Sequence, residues 1–273
     1  MDEIRTIISS ALLEDMPNGD ITTDTLFKDE MSSARFIAKA NGVVSGIEIA
    51  KETFAQVDPS VRFDILINDG QNVHKGDIIA TVFGKTKSIL KSERVALNFL
   101  QRLSGIASLT ALFVAETHGF KAKILDTRKT TPNLRMLEKK AVKDGGGTNH
   151  RMNLSDMAMI KDNHIKAAGS IKNAVKRLKA NINPNIRIEV EVETIDELKE
   201  ALETQADIIL LDNMSCRMMA ECVRINQGSK LLEASGNMTL DRIKEVAKTG
   251  VDFISVGALT HSFDSLDISL KFE

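Results

Sequence analysis

Residues 186–236 read IRIEVEVETIDELKEALETQADIILLDNMSCRMMAECVRINQGSKLLEASG. Three short apolar runs, Ile186–Val192, Ile208–Leu211 and Leu231–Leu232, alternate with helical periodicity over 195–204 and 215–226. Runs this short, spaced by amphipathic helices, are the strands of a parallel sheet, because parallel neighbours need a crossover. The pattern extends both ways. Ile124–Leu125 and Met157–Ile160 precede it, with helical stretches near 134–143 and 167–180; a helix over 239–248 then leads to Phe253–Val256. Six such runs in succession imply either an α/β barrel or a doubly wound sheet. No Gly-x-Gly-x-x-Gly follows the first run, which speaks against a dinucleotide-binding sheet.

The ends of the runs separate the two folds. Each is followed by polar residues or glycine: Thr127, Arg128 and Lys129; Lys161; Glu191 and Glu193; Asp212 and Asn213; Ser235 and Gly236; Gly257. An α/β barrel builds its site from the C-terminal ends of all its strands, whereas an open sheet gathers ligands at one switch point. A barrel is therefore expected. Its mouth carries two chemistries. Arg128, Lys129, His150, Arg151 and Lys161 form a cationic half suited to carboxylates or phosphates. Glu189, Glu191 and Glu193 alternate onto one strand face, with Asp212 at the end of the next strand. Such carboxylates suit Mg²⁺, bound mainly through water and substrate oxygens. Ser235, Gly236 and Asn237, just before a helix, offer backbone N–H groups to a phosphate. Gly257 allows a similar close approach, and His261 lies in the same last loop.

The first hundred residues follow another pattern. Ile4, Ile7, Ile8, Ala11 and Leu12 recur at helical spacing; 33–40 and Val61–Ile67 alternate as strands; 47–57 is helical; and Ile78–Phe83 is a further strand. From Ser88 the pattern is helical for some thirty residues, with a break expected at Gly105. We therefore expect an α/β sandwich domain over 1–107, to which a tail at 265–273 returns, and a barrel domain over 108–264.

Composition narrows the function. A net charge of −2 gives no global support for nucleic-acid binding, so the basic site is local. No apolar run approaches membrane-spanning length, and the N-terminus lacks signal-peptide character. Cys216 and Cys222 fit neither a metal pair nor a disulfide framework, which points to a reducing cytoplasm. Trp and Tyr are absent, so no base or flavin can stack on either.

Taken together, GDITT (19–23), ERVALNFLQRLSGIAS (93–108), DTRKTTP (126–132), GGGTNHR (145–151), IKDNHI (160–165), EVEVE (189–193), LLDN (210–213), EASGN (233–237) and SVGALTHS (255–262) carry a resemblance. They resemble the quinolinate phosphoribosyltransferases, of the type II phosphoribosyltransferases, in order and along nearly the whole chain. The resemblance implies an N-terminal α/β sandwich followed by an irregular parallel α/β barrel of fewer than eight strands. It implies an Mg²⁺-dependent transfer from phosphoribosyl pyrophosphate to quinolinate, giving nicotinate mononucleotide, CO₂ and pyrophosphate for NAD biosynthesis. Arg94, Arg128, His150, Arg151 and Lys161 would take quinolinate, with Arg94 supplied by the neighbouring subunit of a homodimer. Thr127, Lys129, Glu191, Asp212, Ser235, Gly236, Asn237, Gly257 and His261 would take phosphoribosyl pyrophosphate, and Lys129, Glu191 and Asp212 would be catalytic. The alternative is a relative of the molybdenum-locus type, acting on another acceptor. Asn133 and Asn237 stand where many relatives have glycine; Asn tolerates left-handed backbone best among other residues, so both loops are expected to keep their shape.

Overall fold

The computed structural model describes residues 2–273. In chain order it contains α1 (Asp2–Asp15), α2 (Ile21–Leu26), β1 (Met31–Ala38), β2 (Gly42–Val43), α3 (Ile47–Val57), β3 (Arg62–Ile65), β4 (Asn72–Val73), β5 (Ile78–Lys85) and α4 (Thr86–Glu116). Then come β6 (Lys123–Leu125), α5 (Arg135–Asp144), β7 (Ala158–Ile160), α6 (Asp162–Ala168), α7 (Ile171–Lys179), β8 (Ile188–Val192) and α8 (Ile195–Leu202). The chain ends with β9 (Ile208–Asp212), α9 (Cys216–Asn226), β10 (Leu231–Ser235), α10 (Leu240–Lys248), β11 (Phe253–Ser255), α11 (Ala258–His261) and β12 (Ile268–Phe272). Two compact units result: residues 1–111, 131–146 and 263–273 in one, 112–130 and 147–262 in the other.

The first unit is built on an antiparallel sheet of order β12-β1-β5-β3. Alternation in β1 turns Ala34, Phe36 and Ala38 inward. Phe36, Phe54 of α3 and Phe63 of β3 meet with ring centroids 5.4–5.9 Å apart, and Ile89, Leu97 and Leu100 of α4 belong to the same apolar core. Asp20 caps α2, its carboxylate accepting the Thr23 N–H at 3.0 Å. α5 groups with this unit for visible reasons. Glu138 accepts from Arg102 at 3.0 Å, Lys140 donates to Asp69 at 2.6 Å, and Gly145 sits so close to the chain that a Cβ would lie 2.3 Å from the Ala107 carbonyl oxygen.

Two expectations fail on α4. Gly105 does not break it; the helix runs on through this residue. Gly105 answers a packing need instead, because a Cβ there would lie 2.2 Å from the carbonyl oxygen of Asp264. The helix is also long and apolar enough, by length and composition, to cross a membrane, although no apolar run of that kind was apparent in the sequence. More than half of its most apolar window (56%) is buried, as befits a core helix.

The second unit is a parallel sheet of order β6-β11-β10-β9-β8-β7. Spatial order follows chain order from β7 to β11, with β6 beside β11. β6 and β7 do not pair with one another, so this is an incompletely closed barrel of fewer than eight strands. The helices begin on local signals. Ser170, Thr194 and Ser215 each accept a backbone N–H from the first turn of α7, α8 and α9. The helix expected over 167–180 is divided, because Gly169 is left-handed (φ 86°) and Ser170 starts a new cap.

Candidate active site

A cavity of about 900 Å³ opens at the C-terminal ends of the six parallel strands. Every strand end contributes. Thr127, Arg128 and Lys129 follow β6; Lys161 follows β7; Glu191 lies on β8; Asp212 ends β9; Ser235, Gly236 and Asn237 end and follow β10; Gly257 and His261 follow β11. His150 and Arg151 line it as well. Of the candidates after position 126, all but Glu189 and Glu193 line this one space; Glu189 is buried and Glu193 is exposed to solvent, so Glu189, Glu191 and Glu193 do not act as one cluster. Arg94 is not among the lining residues; it is exposed on α4 of the first unit.

One wall is cationic. Arg151 is buried, and its Nη1 donates to the Met157 carbonyl at 2.9 Å. Burial and the nearby charge of Arg128 press its pKa below the usual guanidinium range. Arg128 itself is exposed and forms no ion pair among the described residues. Two guanidinium groups so placed repel one another until an anion separates them. Lys161 pairs with Glu191 at 3.1 Å, linking the cationic wall to the acidic one. Neighbouring Asp212 ends β9 and accepts from Asn213 Nδ2 at 2.6 Å.

Beneath the cationic wall lies a buried acidic floor. His150 Nε2 is 3.1 Å from Glu189 Oε2 and 3.3 Å from Glu233 Oε2; both glutamates are buried. Burial opposes a charge on the imidazole. Hydrogen bonding and attraction from Glu189 and Glu233 outweigh it, and lift the His150 pKa to about 10. The Arg151 backbone N lies 2.7 Å from His150 Nδ1 and favours a neutral ring, but one peptide dipole is weaker than two buried carboxylates. Burial and then the charge of Glu233 push Glu189 up to about 7. The possible ligand atoms of these three residues lie within 4.8 Å of one another, close enough for one cation to contact all three. Buried Asp126 completes the floor by accepting the His150 backbone N–H at 2.9 Å.

The opposite end is made of close loops. A Cβ on Gly257 would lie 3.0 Å from His261 Nε2 and 3.1 Å from Lys129 Cδ, so the missing side chain is what lets these two side chains approach. Thr260 Oγ1 donates to the Lys129 carbonyl at 2.9 Å and ties β11's loop to β6's. Thr127 Oγ1 accepts the Lys129 N–H at 3.0 Å. Asn237 has a φ of 48° and Asn133 one of 65°, so both keep the left-handed backbone expected of them.

Sequence reasoning overlooked Glu233 and Asp126. A signal existed: a carboxylate set inside or directly against a short apolar strand, as in LLEAS and ILD, has to be paired or functional.

Comparisons with known proteins agree with this geometry. The family model for the N-terminal domain of quinolinate phosphoribosyl transferase matches residues 20–104, and that for the C-terminal domain matches residues 106–271. Quinolinate phosphoribosyltransferase (decarboxylating) 2, mitochondrial, from Nicotiana glauca is 45% identical, over 99% of this chain and 82% of the relative. The solved nicotinate-nucleotide pyrophosphorylase of Francisella tularensis is 40% identical with a TM-score of 0.97, covering 100% of this chain and 96% of that one. That of Ehrlichia chaffeensis is 42% identical with a TM-score of 0.94, covering 98% of each chain. The two domain models together take in nearly all of the sequence, and the chain belongs to the quinolinate phosphoribosyl transferase family.

Proposed function

We propose that this enzyme transfers the phosphoribosyl group of phosphoribosyl pyrophosphate to quinolinate with loss of CO₂, giving nicotinate mononucleotide and pyrophosphate for NAD biosynthesis. The observation that carries this reading is the polarity of the one cavity: guanidinium groups over a buried acidic floor on one side, carboxylates and close-packed phosphate-sized loops on the other.

Quinolinate carries two adjacent carboxylates on a pyridine ring. Arg128, Arg151, His150 and Lys161 hold them, and Glu189 with Glu233 keep His150 charged for the purpose. Glu191 and Asp212 hold the ribose hydroxyls. Lys129, with the loops of Ser235–Asn237 and Gly257–His261, holds the phosphates. Fixing both substrates brings the pyridine nitrogen in line with the anomeric carbon, where positioning matters more than a base. The new N–C bond forms as the C–O bond to pyrophosphate breaks, its electron pair leaving with the pyrophosphate. Lys129 stabilises that growing charge. The ring nitrogen is now cationic and stabilises the electron pair left on the adjacent ring carbon when its carboxylate departs as CO₂; a proton then takes up that pair. Glu191 and Asp212, oxygen donors on adjacent strands, suit a hydrated Mg²⁺ near the phosphates. Bound there, the ion would supply charge neutralisation for the leaving group.

We further propose a cytoplasmic homodimer in which Arg94 enters the partner's cavity. The free cysteines support the compartment; exposed Ile21 (87%) and Leu26 (64%), with exposed Arg94, support an interface on the first unit. The decisive experiment for the activity is to supply quinolinate, phosphoribosyl pyrophosphate and Mg²⁺. Nicotinate mononucleotide, CO₂ and pyrophosphate should appear in equal amounts; no product with quinolinate overturns the reading. Mixing inactive Arg94→Ala and Lys129→Ala chains should restore activity if sites are shared, and should restore none if Arg94 serves its own chain.

A further inference from the structure

Arg242 lies in the first turn of α10, half-buried and outside the residues that line the cavity. It forms no ion pair with a carboxylate among the described residues. Its guanidinium is spent on three backbone carbonyls. Nη1 donates to Gly236 at 2.9 Å and to Asn237 at 3.3 Å; Nη2 donates to Met214 at 2.8 Å. Met214 belongs to the loop after β9, Gly236 and Asn237 to the loop after β10. One side chain therefore staples two loops of the cavity from behind.

These loops are pressed together and bent. The Asn213 N–H donates to the Ser235 carbonyl at 3.0 Å. A Cβ on Gly236 would lie 2.2 Å from Asn213 Oδ1. Asn213, Gly236 and Asn237 all have positive φ, at 52°, 94° and 48°. Asn tolerates this backbone better than other residues with a Cβ, and the bonds to Arg242 fix it in place. The peptide geometry says what is gained. In a planar trans peptide the carbonyl and the following N–H point in opposite directions. Carbonyls of Gly236 and Asn237 drawn onto Arg242 turn the N–H groups of Asn237 and Met238 away from it. Both of these residues line the cavity, and neither N–H donates to a protein group among the described residues. Consecutive N–H groups turned the same way form a concave seat for an anion.

We propose that Arg242 is a positioning residue that shapes, from outside the cavity, the backbone seat for a phosphate group of phosphoribosyl pyrophosphate. The identity of the anion rests on the function proposed above; the shaping of the seat rests on the hydrogen bonds alone.

The test compares Arg242→Met and Arg242→Lys with the wild-type chain. Losing charge-assisted bonds to three carbonyls should raise the KM for phosphoribosyl pyrophosphate about tenfold in Arg242→Met, with kcat changed by less than about threefold. Quinolinate affinity, read by calorimetry, should stay within about twofold. Arg242→Lys keeps the charge and reaches fewer carbonyls, so its KM should fall between the two; it also remains informative if Arg242→Met does not fold. Binding of inorganic pyrophosphate should weaken in the same order. An unchanged KM, or equal loss of quinolinate and phosphoribosyl pyrophosphate affinity, overturns the proposal. If the wild-type chain does not turn over quinolinate, the proposed function fails while pyrophosphate binding still decides the role of Arg242.

Discussion

The antiparallel sheet of the first unit and the C-terminal strand ends of the second cover different side chains. In the first, the antiparallel sheet covers Phe36, Phe54, Phe63 and aliphatic neighbours. In the second, the C-terminal ends of the parallel strands cover Asp126, Glu189, Glu233 and Arg151, with His150 between the glutamates. Apolar burial stabilises a fold directly, whereas buried charge costs several kcal/mol per ion unless it is paired. The apolar cluster under the first sheet stabilises the fold, whereas the charged groups at the strand ends of the second lie at the cavity. The difference can be broken by substitutions that move stability and affinity separately.

The largest effect is expected in the first unit. Phe36→Ala should lower unfolding free energy by about 3–5 kcal/mol in denaturant titration, while quinolinate affinity of the folded fraction stays put. Loss of affinity without loss of stability would erase the distinction. Next comes the cationic wall. Arg151→Ala should weaken quinolinate binding by about 2–5 kcal/mol and spare phosphoribosyl pyrophosphate, as competition binding would reveal.

A third prediction concerns pH. The folded pKa of His150, at about 10, exceeds its ordinary 6.5. Its stabilisation is therefore complete below about pH 6.5 and fades as pH rises toward 10. Glu189, raised from 4.5 to about 7, acts in the same direction at lower pH: stability falls as pH rises through that window. Glu189 is raised by burial first and by Glu233 second, and Glu233 also helps to raise His150, so Glu233→Gln should make both slopes shallower in pH-dependent unfolding. Slopes unchanged by Glu233→Gln would mean that Glu233 does not contribute to either shift. The smallest effect belongs to the loops. Asn237→Gly should change stability by less than about 0.5 kcal/mol, because the position is already left-handed, whereas Asn237→Ala should cost about 1 kcal/mol.

Much of the second unit was legible because its strands are short and each ends in chemistry. Thr127 to Lys129, Lys161, Glu191, Asp212 and Gly257 could all be placed at the cavity from the residue type after an apolar run. The floor was harder. Glu233 follows an apolar run of only two residues, Leu231 and Leu232, too short for periodicity to tell which face of the strand is covered. Gly105 misled for a different reason: a glycine signals either a break or a close approach, and only the tertiary contact with Asp264 decides which. Helix α6 was hidden inside IKDNHI, whose polar residues read as a strand end and not as a first turn. Arg242 left no trace at all, since its partners are carbonyls, one of them 28 residues away.

The central claim is that one cavity has two poles, one for each substrate. Calorimetry of quinolinate binding to Asp212→Asn, set beside its turnover, tests this most directly. Asp212 ends β9 among the loops of the phosphoribosyl pole and forms no ion pair with the cationic wall among the described residues. The account predicts quinolinate affinity within about twofold of wild type, a difference near 0.4 kcal/mol, with turnover reduced by about a hundredfold or more. Quinolinate affinity falling in step with turnover would contradict it, because the cavity would then be a single undivided site.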